Sequence, residues 1–157
     1  MTDKEKKQIL TEAMGIYLPY GVHIELQGIS GALHEMRVFH YYNNTNSVQE
    51  IDTYIDFFGD MDFIKVEAFK LILRPISTMT EKEMDTLFNI LNIPKDGSGE
   101  SWIKINDAAG IKFFIPEGVL VEDISKALKY LASRKIDYMG LISMELAVES
   151  PDYLYVD

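Results

Sequence analysis

The sequence predicts an α+β fold: one domain over residues 1–157, with an antiparallel sheet of about five strands and about three helices packed mainly on one side. Three observations carry this. Strand-like runs arrive in pairs joined by turn residues, which is how antiparallel hairpins read. Helical periodicity occupies three separate stretches and does not alternate with strands as a parallel sheet requires. No repeat, low-complexity tract or linker divides the 157 residues, a length that one hydrophobic core can serve.

Thr2 and Glu5 have capping-box spacing, and Ile9, Leu10, Ala13 and Met14 follow at helical intervals. Gly15 and Pro19 are expected to end this first helix. "VHIEL" (22–26) alternates, "GISG" (28–31) reads as a turn, and "LHEMRVFHYY" (33–42) resumes extended character, together a first hairpin. "EIDTYIDFF" (50–58) sets Ile51, Thr53, Ile55 and Phe57 against Asp52, Tyr54, Asp56 and Phe58, a strand with one wet face. "VEAFKLIL" (66–73) is almost continuously apolar, the pattern of a central strand buried on both faces.

Thr80 and Glu83 form a second capping box, followed by Met84, Leu87, Phe88 and Leu91 on one helical stripe. "SWIKI" (101–105) and "IKFFI" (111–115) predict a second hairpin across "NDAAG". A third helix is expected from about Glu122 to Ser133, with Ile124, Leu128 and Leu131 inward. Beyond Ile136 the pattern is mixed and assigns no element.

Hydrophobic residues make up 47% and charged residues 25%, an ordinary globular balance. The absence of cysteine excludes a disulfide framework, a thiolate zinc site and a cysteine nucleophile. The first ten residues are charged, with no apolar signal-peptide core, and no window reaches the roughly 20 apolar residues of a membrane span. A cytoplasmic location without membrane contact is the expectation. Net charge is −10, and neither Val38–Ile64 nor the stretch after Lys135 contains a Lys or Arg. Both would repel a phosphate backbone, so direct nucleic-acid binding is not expected.

Within the acidic stretch, Asp52, Tyr54, Asp56 and Phe58 share the outer face of one predicted strand. Aromatic residues interleaved with carboxylates are the composition of a protein-binding patch. Two other readings use the same region. Asp52, Asp56 and Asp60, with His23 or His34, supply oxygen and imidazole ligands for a divalent ion in a small metal-dependent enzyme, although the spacing is not that of an EF-hand. An acidic ridge spaced like phosphates would instead mimic a nucleic acid and block a DNA-binding defence protein.

Other motifs point to no chemistry. His23, His34 and His40 are the only imidazoles, and neither HExxH nor the cysteine-bearing deaminase signature accompanies them. "KDGSGES" (95–101) lacks the Gly-Lys-Ser/Thr of a phosphate loop, and no Gly-x-Ser-x-Gly elbow occurs. Trp102 reads as core. No catalytic residue and no cofactor is assigned.

"KLILRPIST" (70–78) sets Arg74 at the end of an apolar run, directly before Pro75. The proline biases Arg74 toward extended backbone and stops the ladder. In so acidic a chain, Arg74 reads as a structural clamp on a carboxylate or on the C-terminal carbonyls of a neighbouring helix.

"LPYG" (18–21), "ILRPIS" (72–77) and the pattern Asp137-x-x-Gly140-Leu141-Ile142 occur in this order over almost the whole chain. The set resembles a family of small uncharacterised proteins from Bacteroidetes and their phages and prophages. There are departures: where the family often has Trp-His-Phe-Asp, this chain reads Arg134, Lys135, Ile136, Asp137, and a second family glycine after Gly-Leu-Ile is Glu145 here. The resemblance implies a phage or mobile-element setting and carries over no catalytic residue.

Overall fold

A computed structural model describes residues 1–26, 29–42, 49–57, 63–65, 68–93, 103–106, 109–113, 121–152 and 154–155. Its class is α+β, with three α-helices among the described residues. The chain divides into two units, Met1–Ile72 and Leu73–Asp157.

In the first unit, α1 (Asp3–Tyr17) begins at the Thr2–Glu5 capping box, where the Glu5 N–H donates to Thr2 Oγ1 (3.2 Å) and the Thr2 N–H to Glu5 Oε2 (2.6 Å). The helix runs through Gly15. It stops at Tyr17, between Gly15 and Pro19, and passes into a 3-10 turn (Leu18–Tyr20) that holds Pro19 and ends on Gly21 in the left-handed region, φ 71°. Leu10, Ala13, Met14 and Tyr17 are its buried stripe; Ile9 is only half-buried, and Tyr17 extends the stripe at the C-terminal end.

The strands of this unit are β1 (His23–Leu26), β2 (Ile29–Tyr42), β3 (Gln49–Phe57), β4 (Phe63–Lys65) and β5 (Lys70–Leu73). They lie in the order β4-β3-β2-β1-β5 and every adjacent pair is antiparallel. Leu26 stands opposite Ile29, so the hairpin closes earlier than "GISG" suggested and Ile29 already belongs to β2. A register irregularity at Leu33/Glu35 bends β2. Leu71, Ile72 and Leu73 are buried in succession, which means that both faces of β5 are covered.

In the second unit, α2 (Glu81–Ile90) starts at the Thr80–Glu83 capping box, and α3 spans Val121–Ser133. β6 (Ile103–Asn106) and β7 (Gly110–Phe113) pair with each other. Their stripes meet in a core of Ile76, Leu87, Leu91, Ile93, Ile103, Ile111, Ala127, Leu131 and Ile136. Ile124 packs against this core from its edge, while Leu128 is half-buried and Ala127 takes the inward position expected of it. A short β8 (Ala147–Glu149) is followed by Ser150, whose N–H donates to Leu73 O (2.8 Å) within this unit.

The expected sheet is matched only in part. The second hairpin does not join the larger sheet but forms a two-stranded sheet of its own. Alternation defines a hairpin but says nothing about which edge it joins. Nor is pairing uniformly antiparallel, since the isolated bridge Arg74↔Ile136 is parallel.

Candidate functional site

Among the described residues, a dense polar cluster in the second unit is built around Glu83. As the third residue of α2 it closes the capping box, its N–H donating to Thr80 Oγ1 (3.1 Å) and its Oε1 accepting from the Thr80 N–H (3.0 Å). Such a glutamate is ordinarily wet. Here the residue is only 4% exposed. Two arginines compensate its burial. Arg74 grips it with both arms, Nη1 to Oε2 and Nη2 to Oε1, each 2.9 Å, and Arg134 Nε donates to Oε2 at 2.9 Å.

Arg74 holds more than this carboxylate. Nη2 also donates to Thr78 O (2.9 Å) and Nη1 to Arg134 O (3.3 Å), just past the end of α3. Its backbone joins in, with the Arg74 N–H donating to Lys135 O (2.8 Å) and the Asp137 N–H to Arg74 O (2.9 Å). One residue thus ties the end of β5, the start of α2 and the segment after α3. The planar guanidinium suits this task, because its donors form a rigid fork that matches a carboxylate on two points.

The chemistry available to the cluster follows from its charge state. Burial by itself would raise the Glu83 pKa, but the Arg74 hydrogen bond, the Thr80 N–H, the Arg134 hydrogen bond and the Arg74 charge outweigh it and bring the carboxyl down to about 2. A carboxylate that stays ionised throughout the neutral range is a poor proton shuttle. Both its oxygens already accept two hydrogen bonds. A cleft of about 310 Å³ opens beside it, lined among others by Thr78, Arg134, Ser150, Asp152 and Tyr155. The Lys135 ammonium lies 5.4 Å from the centre of the Tyr155 ring, within cation–π range.

Asp137 is a second buried acid, one that the sequence marked only as the start of Asp-x-x-Gly-Leu-Ile and gave no role. It is 2% exposed, and its carboxylate accepts from the N–H groups of Leu141 (2.7 Å) and Ile142 (2.9 Å). Gly140, at φ 73°, makes that turn. The pattern Asp-x-x-Gly-Leu-Ile is therefore the covalent order of one self-bonded turn. Its only sequence signal was the spacing.

The acidic and aromatic candidates belong to the first unit. Asp52, Tyr54 and Asp56 lie on β3, where strand alternation gives them one face; Phe58 and Asp60 fall outside the described residues. Register adds neighbours that alternation alone could not supply. Asp52 is opposite Phe39, Tyr54 is opposite Arg37 on β2 and Lys65 on β4, and Asp56 is opposite Glu35 and Phe63. These register positions therefore bring residues of both charges alongside aromatic ones. The alternate residues Ile51, Thr53, Ile55 and Phe57 stand opposite His40, Val38, Met36 and Leu33, the apolar side, on which Leu33 is buried.

Asp52 and Asp56 sit four residues apart, roughly 13 Å along a strand, whereas ligands of one Mg²⁺ or Ca²⁺ approach it to about 2.0–2.6 Å. Among the described residues no three His, Asp or Glu gather into a group able to hold a metal ion. His23 is opposite Ala32 and Ile72, and His40 is opposite Ile51 near the far end of β2. Trp102 and "KDGSGES" lie outside the described residues. Among the described residues no helix is long and apolar enough to cross a membrane. No family model, curated protein or solved structure matches this chain.

Proposed function

We propose that this is a non-catalytic binding protein that engages a protein partner through the β3 face carrying Asp52, Tyr54 and Asp56; Phe58, the fourth residue expected on it, lies outside the described residues. The observation that supports the reading most directly is the register, which sets Tyr54 at the centre of the face between Arg37 and Lys65, with carboxylates at Asp52 and Asp56 on either side along the strand. An aromatic anchor inside a charged rim is the usual anatomy of a protein interface. The fitting partner offers a pocket for an aromatic ring, ringed by basic side chains with one or two acids. The resemblance to proteins of Bacteroidetes phages and prophages makes a phage or mobile-element accessory protein of the cytoplasm our reading of its setting.

The alternatives fare worse on the same register. A metal-dependent enzyme has Asp52 and Asp56 too far apart to share an ion without a large bend. A nucleic-acid mimic needs an uninterrupted acidic ridge, and Arg37 and Lys65 interrupt it.

The test is capture from a host lysate with tagged protein, compared with Tyr54→Ala and Asp52→Lys. A reproducible partner that both variants lose supports the reading. Undiminished capture by both, or no reproducible partner, overturns it.

A further inference from the structure

The cleft beside Glu83 lies wholly within the second unit and is small, about 310 Å³. Every residue of its lining except Pro151 carries a polar side-chain group, so it suits a polar ligand and offers little to an apolar one. Two of these residues are already committed to each other. Glu83 accepts two hydrogen bonds at each oxygen, while Arg74 uses Nη1 on Glu83 and Arg134 O, and Nη2 on Glu83 and Thr78 O. They make a fixed wall.

Three other lining residues supply donors. Arg134 is anchored through its Nε–H on Glu83 Oε2 (2.9 Å) while 30% of its side chain stays exposed, so the guanidinium is oriented before any ligand arrives. The Thr80 hydroxyl accepts from the Glu83 N–H (3.1 Å) and has its own proton to give. Ser150 is held by its N–H on Leu73 O (2.8 Å), and its hydroxyl is a further donor. An oriented guanidinium with hydroxyls beside it is the chemistry that binds an oxyanion.

Charge narrows the class of anion. Arg74 and Arg134 line the cleft together with Glu83 and the exposed Asp152, and the Lys135 ammonium stands 5.4 Å from the ring of Tyr155, another lining residue. Three basic groups thus stand against two acids, a local reversal of sign in a chain of net charge −10. One surplus positive charge matches a monoanion, whereas the second charge of a dianion would be repelled by Asp152.

We propose that this cleft binds a small monoanionic carboxylate, its oxygens held by Arg134 and by the hydroxyls of Thr80 and Ser150. The inference does not depend on the proposed partner binding, which uses the first unit.

The test is an NMR titration of the full chain with sodium acetate, against sodium chloride and inorganic phosphate at equal ionic strength. Acetate is expected to give saturable shifts at millimolar concentration, centred on the Arg134 Nε–H and the Thr80 and Ser150 amides. Arg134→Gln should weaken binding about tenfold and Ser150→Ala about threefold, the loss of a charged and of a neutral hydrogen bond. Shifts that chloride reproduces, or that spread over the surface without saturating, overturn the proposal. So does tighter binding of phosphate than of acetate, or an affinity that Ser150→Ala leaves unchanged. The serine variant keeps its backbone bond to Leu73, so it decides the matter even where Arg134→Gln fails to fold.

Discussion

Glu83 shows how one carboxylate can be read correctly and still be misjudged. The capping box names it from the sequence, and the box is present, but nothing local says that two arginines will bury it. Removing one partner of a buried pair leaves an uncompensated charge, so Glu83→Gln is expected to cost about 3 kcal/mol in chemical denaturation. Its pH dependence has a definite sign. The folded pKa, about 2, lies below the ordinary carboxylate value of 4.5. The stabilisation is therefore complete above pH 4.5, and it is lost as pH falls from there towards 2. Acid titration of stability should show this loss, and Glu83→Gln should flatten it in that window. Gly110 is a second constrained residue. It holds φ 84°, and a Cβ there would meet the Tyr138 carbonyl oxygen that accepts from the Ile111 N–H. Gly110→Ala should lower stability by roughly 2 kcal/mol or more, read as a fall in the unfolding midpoint.

At the scale of elements, α2, α3 and the turn at residues 141–145 end in the same way. The Ile93, Ile136 and Leu146 N–H groups reach back to Phe88, Leu131 and Leu141 carbonyls, and the residues before them, Asn92, Lys135 and Glu145, take φ of 55°, 55° and 61°. These are Schellman closures, which normally use glycine because the left-handed region crowds a Cβ. Glu145→Gly is expected to raise stability by about 0.5 kcal/mol, the relief of left-handed strain exceeding the entropy cost of glycine, while Glu149→Gly in β8 lowers it. Asp137→Ala orphans two N–H groups of the 138–146 turn and should cost about 2–4 kcal/mol, with Asp137→Asn recovering part. Capping boxes and apolar stripes made the helices legible because their signals lie within one or two turns. The separate β6–β7 sheet was not legible, since sheet membership depends on an edge supplied from elsewhere. The same limit hid Arg74's partners: Pro75 marked where the strand stops, but Arg134 lies 60 residues away.

For the whole molecule, the net charge of −10 did say something about partners, but its meaning depended on placement. Read as a string, residues 50–62 are an acidic run; in the sheet, Arg37 and Lys65 come in from both neighbouring strands. With Asp52 and Asp56 roughly 13 Å apart along β3, Mg²⁺ or Ca²⁺ at millimolar levels should move the thermal midpoint no more than NaCl of equal ionic strength. A saturable rise with one divalent ion would instead revive the metal reading.

By itself the sequence determined the α+β class, the two capping boxes and the positions of the three helices. All of these are short-range, set by backbone geometry and the spacing of apolar residues. Tertiary structure alone decided that Glu83 is buried between Arg74 and Arg134 and that Asp137 closes its own turn deep in the fold. Each depends on which distant segment arrives alongside, and that is settled by packing a whole unit at once, beyond the reach of any window of neighbouring residues.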